Sequence, residues 1–253
     1  MYKNLFDFTD KVVLITGGRS GIGQATALAF ARQGAKMVIA GRSNADKTLA
    51  LIKDEGGEAV FVQGDVSVSA DAQNIVKTTV EKYGHLDVAF NNSGLLPVTA
   101  DLADQTEEDY DKIMNVDLKG VFLCMKYEIT QMLKQGSGAI INCGSVASII
   151  ADPGMSPYVA AKHGVAGLTK AAGIEYAKKN IRINAIAPGL TGTEMTDGWL
   201  SDPAMAELVK TFNAANRVAS PEEMAGMVLF LASPLASFIT GAIYPIDAGQ
   251  TAH

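Results

Sequence analysis

What most constrains this chain is an alternation that runs from one end to the other. Short runs rich in β-branched and other apolar residues are each followed by a longer stretch of helical periodicity. The runs are Val12–Thr16, Lys36–Ala40, Glu58–Val62, Leu86–Phe90, Gly138–Asn142, Arg182–Ile186 and Ala242–Ile246. Several, such as Val-Val-Leu-Ile and Ala-Ile-Ile, are apolar on successive residues. A strand wet on one face alternates apolar and polar side chains, whereas an unbroken apolar run suits a strand covered on both faces, as in a parallel sheet. The intervening segments repeat near 3.6 residues, as at Ile22, Ala25, Leu28 and Ala29, and serve as crossover helices. The expected fold is α/β: a doubly wound parallel sheet of about seven strands with helices on both faces.

Helix starts are legible too. Ser220-Pro221-Glu222-Glu223 places an N-cap, a proline at the first helical position and a glutamate at the third, which closes a capping box. Thr106 to Asp109 is a looser version, ahead of a helix expected to run through Met132. With no linker, low-complexity tract or repeat, residues 1–253 read as one domain. Gly192, Gly198 and Pro203 break the pattern, so residues 191–216 are expected to form a loop with short helices, suited to a flap.

Composition removes several classes of function. A 48% apolar chain with 19% charged residues is neither disordered nor fibrous. The longest strongly apolar run, Met227–Ala232, is far short of the roughly 18 residues a membrane span needs. Net charge is −6 and the basic residues are scattered, so neither nucleic acid nor an anionic membrane is an expected partner. The opening MYKNLFDFTD carries two acids, unlike a secretory leader. Cys124 and Cys143 lack CxxC spacing and read as free thiols of a cytoplasmic protein. Three histidines leave little material for a metal site, and none is expected.

The first run leads straight into Thr16-Gly17-Gly18-Arg19-Ser20-Gly21-Ile22-Gly23, and a helix follows. Glycines there permit a tight turn and close approach of backbone to a pyrophosphate, which the free N–H groups and positive dipole end of the helix favour. After the second run, where an acid would accept from a ribose 2′-hydroxyl, stands Ala40-Gly41-Arg42-Ser43. The Arg42 guanidinium suits a 2′-phosphate instead, with Arg19 able to reach the same group; NADP(H) is expected over NAD(H).

Tyr158-Val-Ala-Ala-Lys162 sets Tyr and Lys on one helix face, where an ammonium lowers a phenol's pKa and equips it as a general acid/base. Ser145, just past the fifth run, is placed to donate to a carbonyl oxygen, and Asn115 to hold a water or bend its helix. His163 falls on another face than Tyr158 and reads as packing or surface; His253 is a candidate subunit contact.

Taken together, the chain resembles the short-chain dehydrogenase/reductases, with their Rossmann-type sheet, over essentially its whole length. The resemblance rests on the Thr16–Gly23 turn, Asp65-Val66, Asn91-Asn92-Ser93-Gly94, Asn115, Ser145, Tyr158-x-x-x-Lys162, and Pro188-Gly189 with Thr193. It implies that Tyr158 moves the proton, Lys162 binds the nicotinamide ribose, Ser145 holds the substrate oxygen and Asn115 positions a water. It implies further that Gly17, Arg19, Ser20, Gly21, Ile22 and Gly23 hold the pyrophosphate region, with Arg42 and Ser43 at the adenosine end. Asp65 and Val66 would meet the adenine, Asn91 to Gly94 the adenosine end, and Pro188, Gly189 and Thr193 the nicotinamide. A homotetramer is the assembly the family implies.

Substrate pockets of such sheets lie beyond the carboxyl ends of the strands. Leu95, Leu96, Ala147, Ile149, Met155, Leu190, Met195 and Trp199 are candidate walls, mostly apolar and without Arg or Lys. A neutral, fairly hydrophobic ketone or secondary alcohol is the expected substrate. The alternatives are an NAD(H)-dependent dehydrogenase of the same family and a non-catalytic dinucleotide sensor.

Overall fold

The computed structural model describes residues 6–252; residues 1–5 and His253, the candidate subunit contact, lie outside the described residues. All seven expected strands form: β1 Val12–Thr16, β2 Lys36–Gly41, β3 Glu58–Gln63, β4 Val88–Asn91, β5 Gly138–Cys143, β6 Ile181–Pro188 and β7 Ile243–Ile246. They make one parallel sheet in the order β3-β2-β1-β4-β5-β6-β7. β4 starts two residues later than expected, and the backbone of Leu86 is taken up by Gln135: its Oε1 accepts from the Leu86 N–H at 3.2 Å and its Nε2 donates to the carbonyl.

Among the described residues nine α-helices accompany the sheet: α1 Gly21–Arg32, α2 Asp46–Asp54, α3 Ser69–Tyr83, α4 Glu107–Ile113, α5 Gly120–Gln135, α6 Ser156–Tyr176, α7 Asp197–Leu200, α8 Pro203–Lys210 and α9 Pro221–Ala232. The helix expected from Thr106 to Met132 is interrupted: a π-turn, Met114–Lys119, joins α4 to α5. The caps form as the sequence predicts. Thr106 accepts from the Asp109 N–H at 3.0 Å, and at the start of α9 the Glu223 carboxylate accepts from the Ser220 N–H at 2.9 Å, the return bond of the capping box.

Successive strand residues face opposite layers. Val13, Ile15, Met37, Ile39 and Phe90 pack with Phe30, Val228 and Leu231 under α1 and α9. Leu14, Val38, Ala40 and Ile140 pack with Ile75, Val121, Ile129 and Val165 under α3, α5 and α6. Each large side chain so buried contributes about 1.5–3 kcal/mol, which is why continuous apolar runs were needed. β7 closes one edge and carries Pro245 on its exposed part. No helix among the described residues is long and apolar enough to cross a membrane, and Cys124 and Cys143 are buried free thiols.

Strand order reverses beside β1, which has β2 on one flank and β4 on the other. The loops after β1, β4, β5 and β6 leave from the same ends of neighbouring strands and enclose a crevice there.

Candidate active site

Two connected cavities occupy that crevice. The larger, about 590 Å³, is lined by Gly17, Arg19, Ser20, Gly21 and Ile22, by Gly41, Arg42 and Ser43, by Asp65 and Val66, and by Asn92, Ser93, Gly94 and Thr193. Gly17 and Gly21 have φ of +68° and +54°, a region that favours glycine. Gly23 stands behind the wall rather than in it: a Cβ there would collide with the Gly17 carbonyl and lie 2.7 Å from Asn92 Nδ2. Ser20 caps α1 with extended backbone and no side-chain bond, so the first N–H groups of the helix keep their donors free. A cradle of this shape, with a free helix start, fits a dinucleotide pyrophosphate.

Asn91 does not reach this cavity. It is 2% exposed, and its Nδ2 donates to Glu128 Oε2 at 3.0 Å and Asn142 Oδ1 at 3.1 Å, inside the layer under α5. Side chains alternate along a strand, so its neighbour faces the other way. Asn92 donates to the carbonyls of Thr16 and Gly17 and ties β4 to the glycine turn. Arg42 lies exposed at the far end, 4.0 Å from Asp65, and Arg19 pairs with Glu194 at 2.8 Å. Burial pushes the Asp65 carboxyl up, but donation by Ser67 and the nearby Arg42 charge outweigh it and hold it below the usual carboxylate range.

The second cavity, about 330 Å³, contains Ser145, Tyr158 and Lys162 in one wall. Tyr158 and Lys162 stand one turn apart on α6, the Nζ 5.4 Å from the ring centroid. Lys162, 4% exposed, donates to the Cys143 carbonyl at 3.2 Å and pairs with Asp117 at 3.1 Å. Asp117 has no exposed surface and accepts from the Leu95 N–H at 3.0 Å. Gly94 makes room for it, since a Cβ there would stand 2.8 Å from Asp117 Oδ1.

The Asn115 side chain, expected here, is not brought to the cavity; the residue lies in the π-turn Met114–Lys119, where its helix departs from regular winding, the other expectation for it. It is exposed, and its amide oxygen faces Lys119 Nζ at 3.4 Å. Asp117, two residues on, takes the inward place. Its signal was an acid between Val116 and Leu118, where an apolar helix face would be read. His163 is exposed and its Nδ1 pairs with the Val159 carbonyl at 3.0 Å, away from the cavity as expected.

The electrostatics also differ from expectation. Burial pushes the Tyr158 phenol up; Lys162 pulls it down, Asp117 pushes it up and hydrogen bonding by Ser145 pulls it down, leaving it above its ordinary value. Burial works against the Lys162 charge, but the Asp117 carboxylate outweighs it and holds the ammonium well above its usual range. Burial also raises Asp117, more than Lys162 and the Leu95 N–H lower it.

Leu95, Leu96, Ala147, Met155, Leu190, Met195 and Trp199 line this cavity together with Pro188, Gly189 and Thr193. Ile149 does not: it is 40% exposed and outside the wall. Residues 191–216 form the expected loop with α7 and α8, and their Met195, Trp199, Met205 and Val209 close one side. Asp152, which sequence reading passed over, lines the cavity as well.

Glycine turn, doubly wound sheet and adjoining Tyr-Lys-Ser wall define a dinucleotide-binding oxidoreductase. A family model described as enoyl-(acyl carrier protein) reductase matches residues 17–251. Cyclohexanol dehydrogenase of an Acinetobacter species is 40% identical, covering 96% of each chain. The crystal structure of a levodione reductase superposes with a TM-score of 0.94 at 38% identity, over 97% of this chain and 99% of that one. A proposed 2-deoxy-D-gluconate 3-dehydrogenase of Agrobacterium tumefaciens, solved with NADP bound, does so with a TM-score of 0.92 at 35% identity, over 99% and 100%. The chain belongs to the short-chain dehydrogenase/reductase family, oxidoreductases that act on alcohols and ketones with a nicotinamide dinucleotide.

Proposed function

We propose that the protein is an NADP(H)-dependent oxidoreductase that interconverts neutral, largely apolar ketones and secondary alcohols, with Tyr158 as general acid/base. The observation that carries this reading is the junction of the two cavities: Ile22, Asn92, Gly94 and Leu95 line both, beside the wall of Ser145, Tyr158 and Lys162. A bound nicotinamide dinucleotide supplies or accepts the hydride. Tyr158 gives its proton to the carbonyl oxygen, Ser145 donates a hydrogen bond to that oxygen, and the Lys162 charge stabilises the phenolate left behind. A phenol held above its ordinary pKa stays protonated at neutral pH, which suits reduction; alcohol oxidation needs the phenolate and gains as pH rises.

Arg42 and Arg19 in one cavity, with no acid at the end of β2, support NADP(H) over NAD(H). The fit of the residues is tested by Gly17, Gly21 and the uncapped start of α1, all of which suit a pyrophosphate. We further read the chain as one catalytic domain of a cytoplasmic homotetramer. Exposed apolar side chains on α5 and α6 (Phe122, Leu133, Ile174) and Phe238 ahead of β7 support the assembly.

Oxidation of NADPH and NADH, followed at 340 nm with cyclic, aliphatic and aryl ketones, tests the reading. NADPH is expected to turn over faster at limiting cofactor, and Arg42→Asp to erode that preference by raising the KM for NADPH. Equal use of both cofactors, unchanged by the substitution, would reduce Arg42 to a surface charge.

A further inference from the structure

Of the charged side chains that line the substrate cavity, Lys162 and Asp117 neutralise one another in a buried pair. That leaves Asp152, half-buried, as the one charge in this wall without a counter-charge among the described residues. Asp152 begins an Asp-Pro-Gly turn in the loop between Ser145 and Tyr158, the two residues placed at the reacting oxygen. An aspartate at the start of such a turn ordinarily accepts from the backbone N–H two residues on. Here that N–H belongs to Gly154, and the Asp152 carboxylate accepts from no group among the described residues; only burial acts on it. A half-desolvated carboxylate with its acceptor sites open is stabilised by a donor brought into the cavity, and it penalises an anion or an apolar group set against it.

We propose that Asp152 is a specificity-determining residue that accepts a hydrogen bond from a second polar group of the substrate, so that the preferred ketones and alcohols carry an additional O–H or N–H donor beside an apolar frame. This rests on the oxidoreductase reading and narrows it: the other walls, Leu95, Met155, Leu190 and Trp199, accept the frame, and Asp152 reads the substituent.

The test uses three ketones that differ in one substituent: 4-hydroxy-, 4-amino- and 4-methylcyclohexanone. The native enzyme with NADPH is expected to favour the hydroxy ketone over the methyl ketone by roughly 10- to 100-fold in kcat/KM, the range that a hydrogen bond to a charged group gives. Asp152→Ala should remove that preference, bringing the hydroxy ketone to the level of the methyl ketone. Asp152→Asn, which keeps an acceptor and loses the charge, separates the two donors: hydroxyl preference persists, and ammonium preference is lost. Thermal melting of both variants checks that the loop still folds. If the methyl ketone is used as well as the hydroxy ketone, or if both variants lower all three substrates equally, the assignment to Asp152 is wrong while the reductase reading stands. Silence on all three with the native enzyme would instead remove the reductase reading, and this proposal with it.

Discussion

Lys162 is the residue on which the others depend, and its surroundings explain why a carboxylate rather than an amide stands beside it. A desolvated ammonium 3.1 Å from Asp117 stays charged through the neutral range, whatever the proton on Tyr158 does. The phenol feels both charges, with opposite signs. Asp117→Asn removes the negative charge and leaves one acceptor oxygen to be shared by the Leu95 N–H and Lys162, the other carboxylate oxygen becoming an amide donor. The alkaline rise in alcohol oxidation should therefore move to lower pH, because an influence that raises Tyr158 is gone; an unmoved pH profile of kcat would show that Asp117 acts by packing alone. Tyr158→Phe removes the proton donor that the proposed function assigns and keeps the ring. Turnover should fall by roughly 10²- to 10⁴-fold while NADPH binding, followed by fluorescence, is retained. That Tyr158, Lys162 and Ser145 share one cavity wall was legible from residue type and spacing. Asp117 was not, since one acid among apolar neighbours looks like any surface aspartate until the winding of its helix is known. Asp152 was hidden in a Pro-Gly turn, where an aspartate has an ordinary structural use.

At the scale of elements, that winding is the π-turn Met114–Lys119. Residues two apart on an α-helix are separated by about 200°, so Asn115 and Asp117 cannot both face the site, and the wider turn decides between them. No glycine or proline lies within the turn itself, and Gly120, which follows it as the first residue of α5, is a lone glycine in an otherwise helical pattern, which is why the sequence suggested one helix from Thr106 to Met132. Strands were easier, because burial on both faces writes itself as an unbroken apolar run. Helix starts were legible for a local reason: a cap needs particular side chains at particular offsets. The capping box at Ser220 makes this measurable. Ser220→Ala should lower stability by about 0.5–2 kcal/mol, read as a lower Tm, with activity at 25 °C unchanged. A larger loss would mean that the α9 start also supports the neighbouring Arg217–Glu223 pair, whose N–O distance is 2.6 Å.

For the whole molecule, stability should carry the signature of one buried acid. Glu128 lies in the core under α5, where burial pushes its carboxyl up to about 8 against the opposing donation from Asn91. Folded protein therefore binds a proton that the unfolded chain has released above its own carboxylate pKa. The sign follows: this contribution is complete below the unfolded pKa and is lost as pH rises toward about 8, with a limiting slope near 1.4 kcal/mol per pH unit. Glu128→Gln is expected to flatten the fall in denaturant-measured stability between pH 5 and 8, and identical slopes would show the carboxyl already ionised. The order of the sheet was not readable from single segments, because it depends on which crossovers pack on which face. Its closing edge has a further consequence. At the two ends of β7 the carbonyls of Ala242, just before it, and Ile246 accept from Ala185 of β6 and from Gly189 just after β6, so the backbone groups of Ile243 and Pro245 point outward. Proline has no N–H, and Ile243 is left as the lone outward donor of the strand. In a concentrated solution a passing chain finds a single outward N–H to pair with along that rim, so copies that meet there recognise one another through side chains rather than by extending the ladder.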